Sequence, residues 1–304
     1  MLWDLIQRIF RNFLPLFVVL HRLADRPVLS RRLHLVELHE LAWWPSFSRQ
    51  TIQDVLAELW NAPLPFLEPQ RSAASTLVPV LAAALNRASS KHVVDVCSGS
   101  GGPLPGMAAG LVRMGGVESI SLTDLFPNLA AKRRLETTEG HPSVLKYHGE
   151  PVDATRCQLQ GFRTLFGSMH HFQPHLLEQM LADAARRGEG FAAFEATKRS
   201  ALGLALAFFL LFPLGYLLPL LMIRRMSLLQ ILTTFFVPVT PFVLWIDGIV
   251  SCLRTYTRSE FLEIARRADP EGKFDWDVTD SYPDGIGLHP VTCYLGIPKK
   301  TNFN

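Results

Sequence analysis

The 304-residue chain reads as an α/β protein, a parallel sheet with helices on both faces. Three observations predict this. From Lys91 to Ala196, short apolar runs alternate with helical stretches, as in successive strand–helix units. A glycine-rich turn, Ser98-Gly99-Ser100-Gly101-Gly102, joins the first such run to the first such helix. Two more strand candidates close the chain and bring the total to seven.

Residues 1–84 precede the alternation and form an N-terminal helical extension; 85–304 form the main domain, with an apolar insert at 200–246. Leu2, Trp3, Ile6, Ile9, Phe10, Phe13 and Leu14 recur at helical spacing, while Asp4, Arg8 and Arg11 interrupt any signal-peptide core. Residues 1–20 are therefore an amphipathic helix, either packed on the main domain or lying in a lipid headgroup layer. Helices are expected at Thr51–Trp60 and over Ala-rich 71–90. The strands expected next are His92–Val96, Ser119–Leu125, Val144–Tyr147, Phe162–Phe166 and Phe191–Ala196. Between them fall helices at Pro105–Met114, Leu129–Glu136 and Pro174–Arg187, the last with an apolar stripe of Leu176, Leu177, Met180, Leu181 and Ala184. A helix at Arg258–Arg267 and strands at Phe274–Val278 and Val291–Ile297 complete the order.

Composition excludes several classes. Thirty Lys and Arg stand against 27 Asp and Glu, with no basic stripe, which speaks against nucleic acid as a partner. Cys97, Cys157, Cys252 and Cys293 lie far apart and form no CxxC pair, so neither a zinc ribbon nor a disulfide framework is expected, and no metal site. Reduced thiols fit a cytoplasm-facing domain. A 48% hydrophobic content and a mean hydropathy of +0.17 are high for a soluble enzyme.

The turn after the first strand carries the chemistry. In Val93-Val94-Asp95-Val96-Cys97-Ser98-Gly99-Ser100-Gly101-Gly102, glycines let backbone approach a ligand without Cβ atoms in the way. Asp95 stands where it can accept hydrogen bonds from a ligand ammonium or from the loop itself. The G-x-G-x-x-G order of a dinucleotide site is missing.

On these residues the chain resembles the class I S-adenosylmethionine-dependent methyltransferases, over about residues 85–200 and 245–298. The resemblance implies a Rossmann-like seven-stranded methyltransferase sheet and S-adenosylmethionine as cofactor. It makes Asp95, Cys97, Gly99 and Gly101 the cofactor loop, with Cys97 where the family most often has Gly. Asp124 matches the acidic residue that hydrogen-bonds the ribose hydroxyls, Leu125 flanks the adenine, and Asp153-Ala154 matches the pair beside the adenine amine. Gly167-Ser168-Met169-His170-His171 falls where the family places residues facing the methyl group. Cys97–Pro103, His170-His171-Phe172 and Asp247–Ser251 with Leu253–Tyr256 together resemble one subgroup of these enzymes.

Methyl transfer from a sulfonium is an in-line displacement that depends mainly on positioning, and an oxygen or nitrogen acceptor must also lose a proton. His170 or His171 is the expected base; in an extended segment adjacent rings point to opposite sides, so one faces the substrate, or either caps the next helix. Glu195 ends the fifth strand as a further candidate. Asp247, Arg254 and Tyr256 are either functional or a buried Asp–Arg pair fixing the insert to the sheet. The D/N-P-P-Y signature of base-amine methylation is absent.

Ala201–Ile223 and Met226–Ile246 carry no charge and are separated by Arg224-Arg225. Since the flanking strands share one sheet, the insert makes two spans, a shallow membrane hairpin, or an apolar lid. Arg224 and Arg225 at the turn oppose two spans, and Pro213, Pro219, Gly203 and Gly215 oppose a straight first one. The expected activity is methyl transfer to an oxygen, nitrogen or carbon of a small lipophilic acceptor (a lipid, quinone-like compound or secondary metabolite) at or near a membrane, with membrane contact through 201–246 and 1–20. The alternatives are a non-catalytic membrane-associated binder of the same cofactor and an NAD(P)-dependent oxidoreductase.

Overall fold

A computed structural model describes residues 26–61, 72–137, 143–281 and 290–299. The helix expected at 1–20 lies outside the described residues. Seven strands form one sheet: β1 (His92–Val96), β2 (Ser119–Thr123), β3 (Leu145–Tyr147), β4 (Phe162–Phe166), β5 (Phe191–Glu195), β6 (Phe274–Ser281) and β7 (Val291–Pro298), in the order β3-β2-β1-β4-β5-β7-β6. β1 to β5 are parallel, whereas β7 runs antiparallel between β5 and β6. The sheet is therefore not wholly parallel. Only residues 282–290 separate β6 from β7, too few for the crossover that parallel pairing needs.

The helices are α1 (Ser46–Asn61), α2 (Ala73–Ala88), α3 (Leu104–Gly115), α4 (Leu129–Thr137), α5 (Pro174–Arg187), α6 (Ala201–Leu221), α7 (Val239–Arg254) and α8 (Arg258–Ala268). α2 and α3 cover one face of the sheet with Leu77, Leu81, Leu85, Leu104, Met107 and Leu111. α5 and α8 cover the other with Leu177, Leu181, Phe261 and Ile264. β4 and β5 are buried throughout, as expected for strands covered on both faces.

α1 crosses the C-terminal ends of the strands. Asn61 Nδ2 donates to the Gly102 carbonyl at 2.8 Å, and Trp60 sits against Gly167 and Phe166. This helix therefore walls the crevice above β1 and β4.

α6 is one continuous helix despite Pro213 and Pro219, each of which removes one N–H from its ladder. α7 packs back along it so closely that a Cβ at Gly215 would lie 2.5 Å from Pro241 Cα, and one at Gly248 would lie 1.9 Å from Leu211 Cδ1. Among the described residues α6 alone is long and apolar enough to cross a membrane; Leu228–Phe236 with α7 passes only as a pair bent by 68°. The linking turn folds back on α1, where Arg225 Nη1 meets Glu58 Oε1 at 3.0 Å and Gln230 Nε2 donates to Thr51 Oγ1 at 2.9 Å. Phe209, Leu228 and Phe236 stay 70–75% exposed along the outer face of this hairpin.

Candidate active site

Asp95 ends in a closed polar nest. Ser98 Oγ donates to its Oδ2 at 2.6 Å and Thr164 Oγ1 to its Oδ1 at 2.7 Å, and burial pushes the carboxyl up to about 7. The turn that follows needs left-handed backbone: Gly99 has φ +53° and Gly101 φ +103°. Cys97 adopts φ +66°, a conformation in which a side chain is strained; this explains why the resembling motif favours glycine there. Burial also raises the Cys97 thiol well above its ordinary range, so it is no thiolate nucleophile.

Asp124 faces this turn from the end of β2. Its Oδ2 accepts the Gly99 N–H at 2.7 Å and its Oδ1 accepts the Phe126 N–H at 2.8 Å, while burial raises its carboxyl. Leu125 beside it is half exposed. The Val152 N–H donates to the Asp124 carbonyl at 2.8 Å, which brings the 152–154 segment alongside. Asp153 is exposed and caps its own turn by accepting from Thr155 N at 2.9 Å and Thr155 Oγ1 at 2.7 Å, while Ala154 is buried. Asp95, Cys97, Gly99, Gly101, Asp124, Leu125, Asp153 and Ala154 thus line one edge of the sheet. Two buried polar atoms here have no hydrogen-bond partner: Oε1 of Gln53, whose side chain packs on Gly99, and Oγ of Ser168.

The histidine pair lies in a short 3₁₀ turn, Met169–His171, not in extended chain, and its rings stand only 4.3 Å apart between centroids. The expectation of opposite sides fails because the 3₁₀ turn rotates successive side chains by about a third of a circle. His170 is fully buried. Its Nδ1 lies 2.8 Å from Glu195 Oε2 and its Nε2 3.4 Å from Glu37 Oε1; burial opposes its charge, but the two carboxylates raise it to about 10. His171 is partly exposed and its Nδ1 contacts Glu40 Oε1; burial lowers its pKa, aided by charged His170 and opposed by Glu37 and Glu40.

Arg254 holds this assembly from α7. Its Nη1 and Nη2 donate to both Glu40 oxygens at 2.7 and 2.9 Å, its Nε to the His170 carbonyl at 3.2 Å and its Nη2 to the His171 carbonyl at 2.8 Å. The buried Asp–Arg pair considered for the insert is replaced by two separate clamps on the N-terminal segment. Asp247 accepts the Leu38 N–H at 2.7 Å and the His39 N–H at 3.1 Å, with His39 Nδ1 at 2.8 Å, whereas Arg254 takes Glu40 and Glu37. Arg32 donates to the carbonyls of His170 and Arg254 and lies 4.3 Å from the Tyr256 ring centroid. Burial works against the charge on Glu37, Glu40 and His39. Neighbouring imidazoles nonetheless hold Glu37 well below the carboxylate range, His171 and Arg254 hold Glu40 at about 2, and Asp247 and Glu37 raise His39.

Glu37, His39, Glu40 and Gln53 were not among the residues expected from sequence. The signals that could have found them are three ionisable residues in the four positions Glu37–Glu40 of an otherwise apolar stretch, and a glutamine on the inward face of α1.

No family model matches the chain, and no curated protein matches it. Its fold is similar to human N-acetylserotonin methyltransferase in complex with SAM, at a TM-score of 0.47 and 13% identity, covering 95% of this chain and 67% of that one. It is also similar to the methyltransferase domain of bacterial CtHen1, at 0.44 and 13%, covering 73% and 98% respectively. A third likeness is to the mitomycin 7-O-methyltransferase MmcR, at 0.42 and 15%, covering 75% of this chain and 55% of that one.

Proposed function

We propose that this chain is an S-adenosylmethionine-dependent methyltransferase acting on a small lipophilic acceptor at a membrane surface. The observation that carries this reading is the pairing of Asp124 with the Gly99 turn, across β2 and β1. β1 lies between β2 and β4, where the strand order reverses, and in open α/β sheets ligands bind in the crevice at that point. A carboxylate at the second strand end suits ribose hydroxyls, and the left-handed glycines suit a closely approaching ligand chain. The unpartnered Gln53 Oε1 and Ser168 Oγ offer further polar contacts in the same crevice.

An oxygen or nitrogen acceptor gives up its proton to His171. Both ring nitrogens of His170 face carboxylates, whereas His171 meets Glu40 through Nδ1 only and is partly open. The acceptor arrives along the exposed apolar face of the α6–α7 hairpin, which lies in one leaflet with its basic turn tied to α1. That face and the Arg225–Glu58 contact favour shallow insertion over two spans.

Isothermal titration tests the cofactor. S-adenosylmethionine should bind, and Asp124→Ala should weaken it at least about 10-fold, the size of losing hydrogen bonds to a charged acceptor. Binding of NADH in place of S-adenosylmethionine would overturn the assignment. Methyl-labelled cofactor incubated with cell extract should yield a labelled apolar product; binding without any product would make the chain a non-catalytic cofactor binder. Co-sedimentation with anionic phospholipid vesicles should be lost on deleting 205–240, and unchanged co-sedimentation would remove the membrane from the reading.

A further inference from the structure

We infer that Glu37, His170 and His171 form a binding site for a divalent transition metal of the zinc class. The donor atoms of these three residues all lie within 4.8 Å of one another. Two ligands held about 2.1 Å from a tetrahedral ion stand roughly 3.4 Å apart. His170 Nε2 to Glu37 Oε1 is 3.4 Å, and His171 Nδ1 to Glu37 Oε2 is 3.8 Å. These separations, to the two oxygens of one carboxylate, leave an ion-sized gap among the three side chains.

A second observation points to a ligand independently of that spacing. His170 Nε2 is buried and has no hydrogen-bond partner. On the other side of the ring, Nδ1 is 2.8 Å from Glu195 Oε2. A carboxylate behind one imidazole nitrogen orients the ring, and an ion that displaces the proton held toward Glu37 meets a lone pair on Nε2, the arrangement found behind metal-binding histidines. Glu40 touches the same His171 Nδ1 that faces Glu37 and is itself gripped by both terminal nitrogens of Arg254, so it gives up that nitrogen when an ion binds. His170 thus comes with its supporting residue in place.

Fixed charge agrees. Glu37, Glu40, Glu195 and Asp247 meet two guanidinium groups, Arg32 and Arg254, in this buried region. Set against the two guanidinium groups and the raised His39 imidazole, the four carboxylates keep one negative charge once an ion displaces the His170 proton. Two imidazoles and a carboxylate select zinc, iron(II), cobalt or manganese over magnesium and calcium, which prefer all-oxygen sites. The side chains of His171 and Glu40 are 21% and 28% exposed, so an ion has a way in and an open coordination position on that side.

The inference goes beyond the methyl-transfer reading and does not depend on it. Where both hold, a bound ion lowers the pKa of an acceptor hydroxyl and takes over the task that His171 performs in the metal-free protein.

The test uses full-length protein stripped with a chelator and titrated with Zn²⁺ by calorimetry. One equivalent should bind with submicromolar affinity. Co²⁺ loaded in its place should give the intense visible bands of a four-coordinate site. Glu37→Gln and His171→Asn should each weaken binding at least about 10-fold, and His39→Gln should leave it within about threefold. His171 is the least buried ligand, so its variant remains informative if Glu37→Gln fails to fold. Absence of binding at 100 µM Zn²⁺ would overturn the site. Equal affinity in His171→Asn, or loss in His39→Gln, would overturn the ligand assignment. S-adenosylmethionine titrated into the same stripped protein separates failure of this site from failure of the cofactor reading.

Discussion

Replacing Arg254 by Met removes the cation at the centre of the buried cluster while keeping most of the side chain's apolar stem. Arg254 is 1% exposed and donates to both oxygens of Glu40 and to the His170 and His171 carbonyls, with Glu37 Oε1 3.4 Å from its Nη1. Stranding a buried carboxylate costs about 3–5 kcal/mol. Glu40 is partly exposed and recovers water, which brings this to ~3 kcal/mol. The His171 carbonyl loses a charged donor, adding ~1 kcal/mol, while the His170 carbonyl keeps Arg32. The sum is ~4 kcal/mol, which for a chain of this length lowers Tm by about 8 °C. Thermal unfolding followed by circular dichroism measures it. Arg254→Met combined with Glu40→Gln should recover at least ~1 kcal/mol of the loss, because the stranded charge is gone. A shift under about 2 °C in the single variant would refute the reasoning, since the cluster would then contribute nothing through its charges.

Asp95, with its folded-state carboxyl near 7 against ~3.9 when unfolded, keeps a proton that the unfolded chain loses between about pH 4 and 7. Stability should fall as pH rises through that window and level off above it, and Asp95→Asn should flatten the slope measured by urea unfolding. Cys97→Gly should leave stability within ~1 kcal/mol of the parent, since relief of the left-handed strain offsets the added chain entropy, whereas Cys97→Val should cost at least ~2 kcal/mol. Gly215→Val places a side chain where Pro241 Cα would be 2.5 Å from its Cβ. It should part α6 from α7 and speed proteolysis of the hairpin with the sheet domain intact; unchanged cleavage would show that the two helices need no close contact.

Most strand and helix limits were legible because local pattern dictates them. β1, β4 and α5 fall where apolar runs and the Pro174 start place them, and the left-handed glycines after β1 are visible as glycines. Pro213 and Pro219 both lie inside α6 without ending it. The direction of β7 depends on the shortness of a link, which no residue type announces. The Asp95 and Asp124 pair was readable for a similar reason, as one lies a residue before and the other a residue past the end of its strand, and a parallel register carries both to one edge. Glu37 and Glu40 were not, nor were the partners of Asp247, because their meaning lies in contacts more than 200 residues apart in sequence. Asp247 and Arg254, weighed from sequence as a buried pair fixing the insert, sit two turns apart on α7, and each instead reaches a different part of the N-terminal segment.

That separation orders events during synthesis. Glu40 and Arg254 are 214 residues apart. At translation rates of about 5–20 residues per second, Glu40 leaves the ribosome roughly 11–43 s before its partner exists. Through that interval Glu37, His39 and Glu40 remain hydrated, and β1 to β5 can assemble beneath them. The polar centre closes only once α7 exists, so a product truncated before α7 would carry the whole glycine turn after β1 and still lack the group that holds its histidines.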